Sequence, residues 1–174
     1  STSSVDKESH AKDKSFHVAS LPAVILWPQN TKQVSDIMKI AYAHAIPVTA
    51  WGGGSSLEGN PIPTKGGIVL DMTKMNKIVT VYEDDLQVTV EPGIIGTDLN
   101  EQLKSYGLFF PAFPGSAHLA TVGGMIASNA GGMHAINYGV VGDLVLALEV
   151  VLANGDIIRT GSRSVKSVAG YDLK

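Results

Sequence analysis

The sequence predicts an α+β fold, and three observations carry that expectation. Residues 23–51 run strand, helix, strand, the order of a small βαβ unit. The next forty residues read as short strands with alternating apolar positions. Two glycine-rich segments, "WGGGSSLEGN" and "ATVGGMIASNAGG", then stand where loops must pass close to something. The chain's 174 residues, 44% hydrophobic and 17% charged, suit one domain or two small lobes sharing a core.

Taken in order, "AVILW" at 23–27 is a β-branched run closed by Pro28, as expected of a strand. A helix should follow, capped by Asn30 or Thr31, with Val34, Ile37, Met38, Ala41 and Tyr42 along one face. "IPVTAW" is the second strand. "GGIVLDM" and "KIVTVYE" read as strands at hairpin spacing, and in "DLQVTVEPG" Leu86, Val88 and Val90 alternate with polar residues. "GTDLNEQLKSYG" predicts a helix with Thr97 as N-cap, Leu99 and Leu103 one turn apart, and Gly107 ending it. Met125–Ala130 reads as a short helix between two glycine pairs. A strand is expected over Leu144–Ala153, and "NGD" at 154–156 signals a type I′ hairpin into "IIRTG". The first nineteen residues form a polar leader, its first dozen the one candidate tail.

Composition narrows the function. The formal charge of −3 is spread along the chain and the 13 basic residues form no run, so nucleic acid is not an expected partner. Without cysteine there is no disulfide framework, thiolate nucleophile or cysteine zinc site. The N-terminal residues lack the apolar core of an export signal. "GVVGDLVLALEVVLANG" is too short and too charged to span a bilayer, which takes roughly 20 apolar residues. The expected location is cytoplasmic or peripheral to a membrane, not transmembrane.

The two glycine segments carry the chemistry. Gly52, Gly53 and Gly54 expose consecutive N–H groups with no Cβ to hold a ligand away, and such a nest suits phosphate oxygens; Ser55 and Ser56 add hydroxyl donors. The alternative for three glycines is simply a tight loop. In the second segment Gly123 and Gly124 fall at a helix N-terminus, where N–H groups and the dipole favour an anion, with Thr121, Ser128 and Asn129 nearby. Close packing through small residues is the alternative there. Together the segments imply a diphosphate gripped from both sides. Neither ends in Gly-Lys-Ser/Thr, and neither opens a helix directly after the first strand as GxGxxG does, so the ligand is dinucleotide-like on a fold that is neither P-loop nor Rossmann.

The segments "VILWPQNTKQVSDIMKIAYAHAIPVTAWGGGSSLEG", "GGIVLDMTKMNKI", "VTVEPGIIGTDLNEQLKSYGLFFP", "PGSAHLATVGGMIASNAGG", "YGVVGDLVLALEVVLANGDII" and "KSVAGYDL" resemble, in order, the FAD-binding domain of the vanillyl-alcohol-oxidase and p-cresol-methylhydroxylase (PCMH) type. "LEGN" and "SHAKDKSFH" are most similar to its D-lactate dehydrogenase and glycolate oxidase branch. The resemblance implies two α+β subdomains, residues 20–82 and 83–174, with FAD between them. It implies that Gly52 to Leu57 wrap the diphosphate and that Gly59 turns the chain away. Pro114, Gly115 and Ser116 would follow the flavin or its ribityl chain. Ala120, Thr121, Gly123 and Gly124 would close from the other side beside Ala127, Ser128 and Asn129, and Gly139 and the strand around Val150 would flank the adenosine.

Two departures from the family pattern shape the expected chemistry. Ser55 and Ser56 stand where relatives with covalent FAD often place a histidine, so non-covalent FAD is expected. The resemblance also puts a further strand, a Ser-Glu-Gly-Thr-like turn and a substrate domain beyond Lys174. Oxidation of a 2-hydroxy acid needs a base and a carboxylate clamp as well as the flavin. Arg159 and Arg163 read as exposed hairpin charges. His10 and His17 lie in the leader and His44 at a helix end, while His118 and His134 flank the second segment as candidate cofactor contacts. No catalytic or metal-ligating residue is assigned within the chain. The resemblance therefore implies that these residues bind FAD while the 2-hydroxy acid is handled by the further domain. The alternatives are an alkylglycerone-phosphate synthase, a sugar or alcohol oxidase, or an electron-transfer subunit. An exposed edge where further strands would pair predicts self-association.

Overall fold

A computed structural model describes residues 1–174. Its first half is organised by β1 (Val24–Leu26), β2 (Val48–Trp51) and β3 (Ile68–Asp71), three parallel strands in the order β1-β3-β2. The sequence suggests β1 and β2 as neighbours and β3 as part of a hairpin. Instead β3 enters between them, pairing Val24 and Val48 with Ile68, and Leu26 and Ala50 with Leu70. Burial explains the choice: all four residues of "IVLD" are buried, and an uninterrupted apolar run belongs at the centre of a sheet covered on both faces.

The helix α2 (Thr31–Ala43) covers one face, where Val34 and Ala41 pack with Ile68, Leu70 and Met75. Asn30 caps it, its Oδ1 accepting the Gln33 N–H at 2.9 Å. Tyr42, expected on the buried face, is exposed. On the other face Ile25, Val69 and Trp51 form a second cluster. Ile25 and Val69 have no exposure, and each such side chain contributes about 1.5–3 kcal/mol by leaving water.

That face is covered by the supposed tail. Residues 4–9 form α1 (Ser4–Ser9), and behind it His10, Ala11, Asp13 and Ser15 are buried. The alternation of buried and exposed residues from Ala11 to Ser15 explains the misreading: polar residues face both water and the interior, so no apolar pattern betrays the packing.

The second half builds its own cluster from Ile94, Leu99, Leu103, Ala112, Ala120, Val122, Met125 and Val141. The antiparallel hairpin of β4 (Ile78–Tyr82) and β5 (Gln87–Val90) packs Ile78, Val81, Val88 and Val90 against it. Leu86, expected in the strand, sits in the turn at φ +53° and is exposed. In α3 (Gly96–Leu103) the N-cap is Ile95, which makes no side-chain cap, and Thr97 lies inside the helix. After the 3₁₀ turn Lys104–Tyr106 the chain stops at Gly107 with φ +66°, the left-handed end the sequence predicts.

The helices α4 (Val122–Ala127), α5 (Ala135–Tyr138) and α6 (Val141–Leu144) precede the hairpin of β6 (Ala147–Val151) and β7 (Ile157–Gly161). So α4 begins three residues before the expected Met125, and Leu144 belongs to α6 rather than to the strand. In the β6–β7 turn Gly155 takes φ +86° whereas Asn154 keeps a negative φ, which excludes type I′. This hairpin is tied to α2: Ser35 Oγ donates to the Gly155 carbonyl at 2.6 Å, and Thr31 Oγ1 to Glu149 at 2.7 Å. Arg159 pairs with Glu149 at 2.9 Å, while Arg163 pairs with Asp85 and lies 3.6 Å from the Tyr82 ring centre. No helix is long and apolar enough to cross a membrane.

Candidate functional site: a backbone cradle between two glycine segments

The loop after β2 is held open by the chain itself. A Cβ on Gly53 would sit 1.8 Å from the Leu119 carbonyl oxygen, and one on Gly52 would sit 2.3 Å from Thr121 Oγ1. On Gly54, at φ +60°, it would lie 2.6 Å from the Trp51 ring. The first glycine segment therefore touches the second directly, and two of its three glycines are demanded by that contact. A cleft of about 300 Å³ lies beside the junction, lined by Gly53, Thr73, Asn76, Asp98, Gln102 and Thr121 among others.

What the loop offers outward is backbone. The N–H groups of Gly52, Gly53, Gly54, Ser55, Ser56 and Leu57 donate to nothing within the chain. Six consecutive amides without internal acceptors form the nest that an anion such as a diphosphate would satisfy. Ser55 carries a free hydroxyl, whereas Ser56 Oγ accepts the Glu58 N–H at 3.1 Å. Leu57 is exposed, and Gly59 turns away at φ +78°.

The second segment is built differently. Val122 N–H donates to the Ile94 carbonyl and Gly123 N–H to the Pro92 carbonyl, both at 2.8 Å, while Gly124 N–H meets Thr121 Oγ1 at 3.3 Å. The first turn of α4 thus has no orphan donors, contrary to the expectation drawn from its glycines. Gly123 serves close packing, since its Cβ would lie 2.7 Å from Pro92. Gly124 is exposed, and a Cβ there would meet only Thr121 Oγ1, at 3.2 Å.

The remaining positions divide in the same way. Gly115 and Ser116 have unpaired N–H groups, and Gly115 has open space at its Cβ position. Pro114 precedes them, its carbonyl taken by Ala117 N–H at 2.9 Å. Ala120 is buried, its carbonyl taken by Gly96 N–H at 3.1 Å. Ala127 is exposed and Ser128 Oγ donates to the Gly124 carbonyl at 3.0 Å. Asn129 bends at φ +47° and accepts Gly142 N–H at 2.8 Å. Gly139, at φ +80°, leaves room for the Asp143 carboxylate, which accepts Val140 N–H at 2.9 Å. Val150, half-buried in β6, faces Ile158 of β7. Of the histidines, His134 stacks on Phe113 at 5.7 Å and His118 is exposed.

Sequence reasoning missed what braces the cradle. Asp13 is buried; its Oδ1 accepts Ser15 N–H and its Oδ2 accepts Gly59 N–H, both at 2.9 Å. Burial raises its pKa, but hydrogen bonds from Ser15, Gly59 and Ser56 outweigh it and hold the carboxyl below the usual range. His10 Nε2 lies 2.9 Å from Asp71 Oδ2, which also accepts Trp27 Nε1–H at 2.7 Å, and the His10 and Trp51 rings are 4.8 Å apart. The signal was present as "SHAKDKSFH", but spacing alone does not say that these residues reach 46 and 61 positions along the chain.

An α+β fold that turns a row of unpaired amides outward beside a crossing glycine segment defines a class, the domains that hold a phosphorylated cofactor by backbone. The family is specific: the chain belongs to the FAD-binding domain family, whose "FAD binding domain" model matches residues 22–161, and FAD is its cofactor. It is 44% identical over 164 residues to a glycolate oxidase subunit of Bacillus subtilis, covering 94% of this chain and 35% of that protein. It is 43% identical over 166 residues to the mitochondrial cytochrome-type D-lactate dehydrogenase of Arabidopsis thaliana, covering 94% of this chain and 29% of that one. Among solved structures an alkyldihydroxyacetonephosphate synthase superposes with a TM-score of 0.87 at 23% identity, over 99% of this chain and 36% of that one. The fold is accordingly the PCMH-type α+β fold. The chain spans about a third of the length of these relatives. By name the first two are an oxidase subunit and a dehydrogenase, each named for a small hydroxy acid.

Proposed function

We propose that these residues are the cofactor-holding part of a flavin-dependent 2-hydroxy-acid dehydrogenase or oxidase of D-lactate or glycolate type. One observation carries the reading: six consecutive unpaired amides, residues 52–57, at a junction of two glycine segments. Such a cradle suits the diphosphate of FAD, with Gly115 and Ser116 adding donors along the same ligand and Thr121 and Gly124 closing beside it. Non-covalent holding fits the absence of a histidine at Ser55 and Ser56. Residues 20–82 and 83–174 would be the two subdomains, with the cofactor between them.

When bound, FAD supplies a two-electron acceptor for the hydride that leaves the substrate α-carbon. The residues present orient it through backbone contacts. Both arginines are engaged at the surface, by Glu149 and Asp85, so neither stands ready as a carboxylate clamp. Turnover on a small 2-hydroxy acid accordingly draws its base and clamp from outside these residues, and the chain alone is inactive. The identities above favour hydroxy acids over alkylglycerone phosphate, because the synthase matches in fold at only 23% identity. The reading places the protein in the cytoplasm or at a membrane surface. The two hairpins each form an isolated two-stranded sheet with unpaired edges, and self-association through them is part of the reading.

The test is a titration of the chain with FAD and with FMN, followed by absorbance after gel filtration. Flavin bands that stay with the protein for FAD and not for FMN support the diphosphate cradle. Equal affinity for the two would remove it, since FMN lacks the diphosphate and the adenosine.

A further inference from the structure

We propose that residues 10–17, which lie outside the region matched by the FAD-binding model, form a clamp that sets the shape of the cradle, with Asp13 as its positioning residue. The inference rests on the reading of residues 52–57 as a diphosphate cradle. A loop in which six consecutive amides find no acceptor, and whose one local bond is Glu58 N–H to Ser56 Oγ, has little of its own to define it. Its conformation must be imposed from behind, or be selected by the ligand at an entropic cost in affinity.

The segment grips both ends of the loop. At the far end Asp13 Oδ2 accepts Gly59 N–H at 2.9 Å, Lys14 N–H donates to the Ser56 carbonyl at 3.1 Å, and the His17 ring lies where a Cβ of Gly59 would be, 2.6 Å from its position. At the near end His10 sits 4.8 Å from the ring of Trp51, and Trp51 in turn backs onto Gly54. His10 is itself anchored to Asp71, the last residue of the central strand, at 2.9 Å. Asp13 and His10 are 5% and 8% exposed, so the grip is built into the interior. One carboxylate accepts from both Ser15 and Gly59, and no neutral side chain of that shape could accept from both with both oxygens.

Asp13→Asn tests this by setting an NH₂ group against one of those two N–H donors. In the flavin-free chain, hydrogen exchange read by mass spectrometry should rise about tenfold across residues 52–60 and stay at the wild-type rate in β3. In parallel the Kd for FAD should rise about tenfold. Unchanged exchange at 52–60, or an equal rise in β3, overturns the clamp, the second because it would mean general loosening. If the wild-type chain takes up no FAD, the diphosphate reading fails while the exchange comparison still decides the clamp. Should Asp13→Asn not fold, Ser15→Ala keeps the Ser15 N–H but removes the hydroxyl that hydrogen-bonds the Asp13 carboxylate and accepts His17 N–H at 3.2 Å, and should give a smaller rise, about threefold, confined to the same residues.

Discussion

The two glycine segments look alike in sequence and differ in what their glycines are for. At 52–54 the absent side chains admit another part of the chain, and the amides are left facing outward. At 123–124 the same residue type lets α4 begin against Pro92, and its amides are consumed by Pro92, Ile94 and Thr121. A glycine run therefore marks a close approach without saying whether a ligand or the fold makes it. Only the fate of the N–H groups separates the two.

The sharpest way to break that comparison is Gly53→Ala. Its Cβ would meet the Leu119 carbonyl at 1.8 Å, a backbone atom that no rotamer change can move. The expected cost is about 3 kcal/mol of stability, read as a lowered thermal midpoint, together with loss of detectable FAD binding. A stable Gly53→Ala chain would mean that the segments do not meet as described.

Gly124→Ala should do the opposite. Its Cβ meets only a hydroxyl at 3.2 Å, and alanine in a helix is favoured over glycine by up to about 1 kcal/mol, so the thermal midpoint should hold or rise slightly. If Thr121 and Gly124 close on the cofactor as proposed, FAD affinity should fall about fivefold, because the new methyl would stand between them and the ligand. Unchanged affinity would restrict the cofactor contacts to the first segment and Gly115–Ser116.

The smallest effect belongs to Glu149, which lies outside both glycine segments, in β6. Glu149 has its pKa lowered by hydrogen bonds from Thr31 and then Arg159. A carboxylate depressed in the folded state adds stability that is complete above its unfolded value, near 4.5, and fades as pH falls through the folded one. Glu149→Gln should thus cost roughly 0.2–1 kcal/mol at neutral pH in thermal melts, and the gap from wild type should close on acidification below pH 4.5.

Much of the fold is legible in the sequence. The alternation in "QVTV", the Asn30 cap and the Gly107 stop are local signals, and each appears as expected. The order of strands in the parallel sheet was not legible, because periodicity describes a strand's faces and says nothing about its neighbours. Residues 1–19 were misread for a related reason: a segment that packs through His10, Asp13 and Ser15 leaves no apolar trace. The unpaired amides of the first segment could be read because glycines in series have few uses. The second could not, because its acceptors are the Pro92 and Ile94 carbonyls, which the sequence does not bring near.

The placing of β3 between β1 and β2 also bears on how the chain acquires its shape. Two parallel strands separated by a vacant position gain no ladder from each other, so β1 and β2 stay unpaired until residues 68–71 arrive. The loop of residues 52–67 is the crossover that delivers that central strand, and its closure entropy falls due before any ladder bond is made. Closure of this crossover is therefore a precondition of the whole parallel ladder, whatever conformation residues 52–67 then take.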